Sequence, residues 1–179
     1  EKDNQRSLLC LSRRDGSLLW QKAITYAVKE ESHQDNPPCS ASPATDGERV
    51  IVSYASAGVF CYDLDGKQLW QRSDLGEFVH IWGYAASPII YGDLVIQNCA
   101  PGKKTFLAAF DLASGSDRWR VDEPADGNGD TRADGKWMGT WGTPVVTKID
   151  GADQVVVFQP NRVVGYRPRN GEIIWTCRA

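Results

Sequence analysis

The 179-residue chain lacks any long apolar run; stretches such as Val155-Val156-Val157-Phe158 fall far short of the roughly 20 residues that a membrane-spanning helix needs. It also lacks a cationic excess. Twenty Lys and Arg stand against 23 Asp and Glu, for a net charge of −3 and a pI near 5.4, which removes the electrostatic basis for binding nucleic acid. The amino-terminal Glu1-Lys2-Asp3-Asn4-Gln5-Arg6 has none of the apolar character of a secretory signal, so any such segment was removed or never present. Cysteines at 10, 39, 61, 99 and 177 show no CxxC spacing, which argues against a zinc or dithiol redox site. Nucleophile-elbow and phosphate-loop signatures are missing, and no 11-residue window carries a helical period.

What is present is a repeat. Four segments run from an aromatic or leucine through a polar stretch and a turn glycine to a tryptophan, ending at Trp20, Trp70, Trp119 and Trp175 with spacings of 50, 49 and 56 residues. Their turns contain Asp15-Gly16, Asp65-Gly66, Ser114-Gly115 and Asn170-Gly171, residues that tolerate positive φ in tight hairpins. The residue before each aromatic or leucine is small: Cys10, Cys61, Ala109 and Gly165. This pattern predicts a slot beneath a bulky group, with the two cysteines acting as small hydrophobes. Cys39, Cys99 and Cys177 fall at other repeat positions, and disulfides among them stay open.

Short β-branched runs, Val50–Tyr54, Leu94–Gln97 and Gln154–Phe158, follow the turn pairs Asp46-Gly47, Gly92-Asp93 and Asp150-Gly151 and read as strands. Ser42-Pro43, Ser87-Pro88 and Thr143-Pro144 open each repeat, where a proline at the start of a strand removes no ladder donor. Each full repeat is thus expected to be four antiparallel strands, from the proline to the tryptophan. Stacking such sheets around an axis covers both faces of each, and the expected fold is an all-β propeller. Residues 1–22 supply the last two strands of one blade, and 39–71, 84–120 and 141–177 form three whole blades. Residues 121–140 are an acidic and aromatic insertion.

The segment Ala109-Phe110-Asp111-Leu112-Ala113-Ser114-Gly115-Ser116-Asp117-Arg118-Trp119 resembles the tryptophan-docking motif of the pyrroloquinoline-quinone (PQQ)-type propeller repeats, with Ser114 in place of a threonine. The resemblance extends over almost the whole chain. It implies that Trp20, Trp70, Trp119 and Trp175 pack against neighbouring blades, and that about three and a half blades here are a fragment of a seven- or eight-bladed ring. The family contains quinoprotein dehydrogenases, which would bring PQQ and calcium. It also contains non-enzymatic propellers such as the lipoprotein scaffold of the bacterial outer-membrane β-barrel assembly machine. Members are commonly exported.

Two unrepeated regions are candidates for function. His80, Trp82, Tyr84, Trp137 and Trp141 lie in connections leading into first strands. Two arrangements fit them: rings presented to a shared cavity as a ligand site, or rings packed between blades. Asp126, Asn128, Asp130 and Asp134 alternate oxygen ligands as a calcium loop does, but Thr131 and Trp137 stand where an EF-hand loop needs glycine and glutamate. No two cysteines are adjacent, as in some quinoprotein sites, and no catalytic constellation emerges. The expected role is a non-catalytic binding or scaffolding module with a protein, peptide, small-molecule or sugar partner. A PQQ- and calcium-dependent dehydrogenase is the alternative.

Overall fold

A computed structural model of the chain describes residues 4–78, 80–102, 104–123 and 140–178. They form one two-stranded and three four-stranded antiparallel sheets, each a meander in chain order. Blade A is β1 (Gln5–Leu11) and β2 (Leu18–Thr25). Blade B is β3 (Ala44–Thr45), β4 (Arg49–Ser53), β5 (Val59–Asp63) and β6 (Gln68–Arg72). Blade C is β7 (Ile89–Tyr91), β8 (Leu94–Cys99), β9 (Phe106–Asp111) and β10 (Asp117–Asp122). Blade D is β11 (Val145–Ile149), β12 (Ala152–Gln159), β13 (Arg162–Tyr166) and β14 (Ile173–Arg178). The architecture is a partial β-propeller.

The cores lie between blades. Blade C shows why its middle strands read as near-continuous apolar runs: successive side chains point to opposite faces, and both faces are covered. Val95, Ala108 and Phe110 meet Ile51, Cys61 and Trp70 of blade B. Leu94, Ile96 and Ala109 meet Val155, Val157 and Tyr166 of blade D. On the other side of blade B, Val52, Phe60 and Tyr62 join Leu8 and Trp20 of blade A.

The tryptophans join the blades. Each indole stands directly opposite the small residue on the adjacent strand: Cys10 and Trp20, Cys61 and Trp70, Ala109 and Trp119, Gly165 and Trp175 are register partners. A small partner lets the ring lie over its own sheet and reach the next blade. Trp20 donates its indole N–H to the Leu64 carbonyl at 2.9 Å, Trp70 to Leu112 at 3.0 Å and Trp119 to Pro168 at 2.9 Å. The glycine of each receiving turn is required twice. Gly66, Gly115 and Gly171 have φ of +77°, +73° and +72°. A Cβ on them would also lie 3.0, 2.7 and 2.9 Å from the Cδ2 atoms of Trp20, Trp70 and Trp119.

The Ser/Thr-Pro landmark forms a second seam near the axis. The Ser42 amide donates to the Ser87 hydroxyl at 2.9 Å, and the Ser87 amide to the Thr143 hydroxyl at 3.0 Å. The hydroxyls of Ser87 and Thr143, each just before its proline, therefore accept from the preceding blade. Among the described residues no disulfide forms; Cys61 and Cys99 are buried thiols and Cys177 is exposed.

Candidate binding face

In a four-stranded meander the second hairpin lies at the same end as the segments that enter and leave the blade. That end gathers the A-to-B connection (26–43), the B-to-C connection (73–88) and the described parts of the C-to-D connection, together with hairpins 54–58, 100–105 and 160–161. Hydrogen bonds between these segments confirm the grouping. The Ser56 amide donates to Glu30 Oε1 at 3.0 Å, the Phe78 amide to the Ser56 hydroxyl at 2.8 Å and the Glu123 amide to the Thr105 carbonyl at 2.9 Å.

Three of the aromatic candidates hold this face together. Tyr84 is buried, stacked on Phe78 at 5.2 Å between ring centroids. Its hydroxyl accepts from Gln97 Nε2 at 2.6 Å and from the Ser53 hydroxyl at 3.2 Å, and donates to the Asn98 carbonyl at 3.3 Å. Burial drives the ionisation of that phenol well above its ordinary range. His80 is buried with its ring edge-on to Trp141 at 4.7 Å, and its Nδ1 accepts the Trp82 amide at 3.1 Å. The half-buried Trp141 donates its indole N–H to the Gly83 carbonyl at 2.8 Å, fastening the C-to-D connection to the B-to-C one.

Trp82 is placed differently. It is 52% exposed and its neighbour Ile81 is 47% exposed. The indole lies 5.0 Å from the His33 ring, and the Asn36 side-chain amide donates to the Trp82 carbonyl, so the A-to-B connection supports it from one side. Ile81 borders a cleft of about 470 Å³ whose walls include Tyr26, Val28, Pro38, Lys29 and Glu31. Trp137, Asp126, Asn128, Asp130 and Asp134 lie outside the described residues.

Two features of the face escape a reading of residue patterns. At the base of the cleft Arg6 and Glu30 form a buried ion pair; Arg6 also donates to the Tyr54 carbonyl and lies 4.7 Å over the Tyr26 ring. The available signal was strand alternation, which puts Arg6 on the same inward face as Leu8 and Cys10. At the C–D seam, burial pushes the Glu123 carboxyl up to about 7, partly opposed by Thr105, Arg162 and Gln159. Nothing in the residues flanking Glu123 announces this.

A calcium-held quinone needs several carboxylate or amide oxygens converging beside a flat aromatic face. Among the described residues no three His, Cys, Asp or Glu side chains come together, Glu30 is committed to Arg6, and Tyr84 is sealed by Phe78 and its hydrogen bonds. The described residues do not fit that group. Among them, too, no helix is long and apolar enough to cross a membrane.

Residues 4–177 match a PQQ-repeat family whose description reads outer membrane protein assembly factor BamB. BamB from Moraxella catarrhalis has a similar structure, with a TM-score of 0.58 at 18% identity over 91% of this chain and 40% of its own. Quinohemoprotein alcohol dehydrogenase ADHIIG from Pseudomonas putida HK5 has a TM-score of 0.63 at 15% identity, over 96% of this chain and 31% of its own. The quinohemoprotein alcohol dehydrogenase of Comamonas testosteroni gives 0.62 at 12% identity, over 96% and 32%. This chain thus spans well under half the length of each. A comparison with curated proteins finds no match.

Proposed function

The chain belongs to the family described as outer membrane protein assembly factor BamB, and from that premise we propose that it is a non-catalytic propeller module that binds a protein partner through the Ile81–Trp82 projection and the adjoining cleft. The observation that carries this reading is the contrast within one segment. His80 and Tyr84 are buried and hydrogen-bonded, whereas Trp82 between them stands half in solvent on a supported backbone. A large indole held rigidly at the surface supplies contact area at little cost in side-chain entropy, and tryptophan is enriched among residues that dominate protein interfaces. The mixed walls of the cleft suit a polypeptide segment, whose backbone and side chains offer both apolar and polar groups. The family's description places its work at an outer membrane, and an exported location goes with this reading.

The test is capture of partners by the chain and by a variant carrying Ile81→Ala and Trp82→Ala, with the far-ultraviolet circular dichroism of both recorded. The expected result is loss of capture with an unchanged spectrum; capture at the original level sinks the placement. A titration with PQQ and calcium is expected to give no quinone uptake, and saturable uptake would transfer the chain to the dehydrogenase reading.

A further inference from the structure

Asp74, Gly76 and Glu77 of the B-to-C connection form a ridge with a groove on either side, one of about 490 Å³ at the A–B seam and one of about 390 Å³ at the B–C seam. Among the described residues neither groove is lined by anything before Ile24 or after Arg120, so both lie within the arc and away from the ends of the sequence. The ridge is low at its middle. Gly76 has no side chain and a φ of +101°, and a Cβ placed on it would meet no atom within 4 Å.

The two grooves are alike in build and unlike in charge. Each has an apolar floor, from Ile24 and Phe60 at the A–B seam and from Leu75 and Phe106 at the B–C seam. Among the described residues the charged groups of the A–B groove are both acids, Asp74 and Glu77, whereas the B–C groove sets Lys104 and Arg120 opposite the same ridge. Asp74 is balanced by the Arg72 guanidinium, which donates to its two oxygens at 2.8 and 2.9 Å. Glu77 is exposed and makes no ion pair among the described residues. Its charge reaches Tyr26, which also lines the A–B groove: burial raises the ionisation of that phenol, and Glu30 and Glu77 raise it further against Arg6 and Ser56. We propose that the A–B groove is a second protein-binding surface, separate from the Ile81–Trp82 projection, which takes an extended segment with an apolar side chain over Ile24 and Phe60 and a neighbouring lysine or arginine against Glu77. An open groove suits a stretch of chain, because a small ligand is ordinarily engulfed by its pocket. Lys104 and Arg120 repel the same cation from the B–C groove, so charge complementarity selects between two sites of similar shape.

The experiment is fluorescence anisotropy of the full chain with a labelled peptide bearing phenylalanines and lysines in a glycine and serine background. Saturable binding is expected with a Kd below about 1 mM, the weak end of measurable association. Replacing the lysines by glutamate should weaken binding at least about tenfold, as like charges brought together do, and replacing the phenylalanines by serine should weaken it through loss of apolar contact. In the chain, Glu77→Lys and the groove-filling Ser73→Trp should each lower affinity at least about threefold, with circular dichroism unchanged. Ile81→Ala with Trp82→Ala should leave peptide binding as it was. Equal affinity for the lysine and glutamate peptides overturns the proposal, as does binding indifferent to both Glu77→Lys and Ser73→Trp. So does an absence of saturable binding. Loss of binding in the Ile81 and Trp82 variant alone moves the peptide to the projection, which removes the groove and keeps the function proposed above.

Discussion

At the scale of the residue, each docking tryptophan and the glycine beneath it form one unit, and the cost of changing either depends on the other. Trp119 is 9% exposed, lies on the C–D core and donates to Pro168. Trp119→Ala is expected to cost about 3–5 kcal/mol, as for other buried aromatic truncations. A loss under about 1 kcal/mol in urea unfolding would contradict the docking role. Gly171→Ala faces two penalties, a φ of +72° and a Cβ placed 2.6 Å from Trp119 Cε3. About 2–4 kcal/mol is expected in the parent chain. In the Trp119→Ala background the clash with the indole disappears, and the backbone strain with the 2.9 Å approach to Val121 Cγ2 should leave a loss of about 1–2 kcal/mol. Additive losses in the double variant would show that the two residues do not share a joint.

At the scale of the element, the residue that follows β10 ties the C–D seam to pH. Glu123 has an ordinary carboxyl value of 4.5, raised by burial to about 7 in the folded chain. The unfolded chain therefore loses this proton near the ordinary value while the folded chain keeps it. The group's contribution to stability is complete below that range, declines as pH rises towards about 7 and levels off above it. Denaturation at about pH 5 and about pH 8 should differ by roughly 1–3 kcal/mol from this source, and Glu123→Gln should remove the difference; an equal pH slope in the variant would deny Glu123 that role. The strands themselves were legible beforehand, because β-branched runs and Asp-Gly or Asn-Gly turns mark β4, β8, β12 and the hairpins between them. The proline that opens each repeat was legible as a strand start, but the hydroxyl before it was not legible as an acceptor, because its donor lies 45 or 56 residues away. The aromatic connections were found by composition. Which ring would project was not, since the burial of His80 and Tyr84 depends on Trp141, Phe78 and Gln97, contacts that no local pattern encodes.

At the scale of the whole molecule, stability is a chain of nearest-neighbour seams, so it should not be uniform. Leu94, Val95 and Ile96 of β8 are fully buried, with a blade on either side, whereas blade A has two strands and one covered face. Amide hydrogen exchange should be slowest in β8 and β9 and fastest in β1 and β2. Equal protection across all sheets would show that the arc unfolds as one block. The Ser42–Ser87–Thr143 relay carries a further consequence. Blade C shows the full set: the Ser87 amide and Trp119 indole serve blade D, and the Ser87 hydroxyl and Gly115 turn receive blade B. Removing residues 71–119 would place the Trp70 indole before the Gly171 turn and the Ser42 amide before Thr143, and both seams would still find their partners. Gene duplication or deletion by one period could thus lengthen or shorten such an arc without redesigning any contact, leaving the unrepeated connections free to diverge towards a ligand.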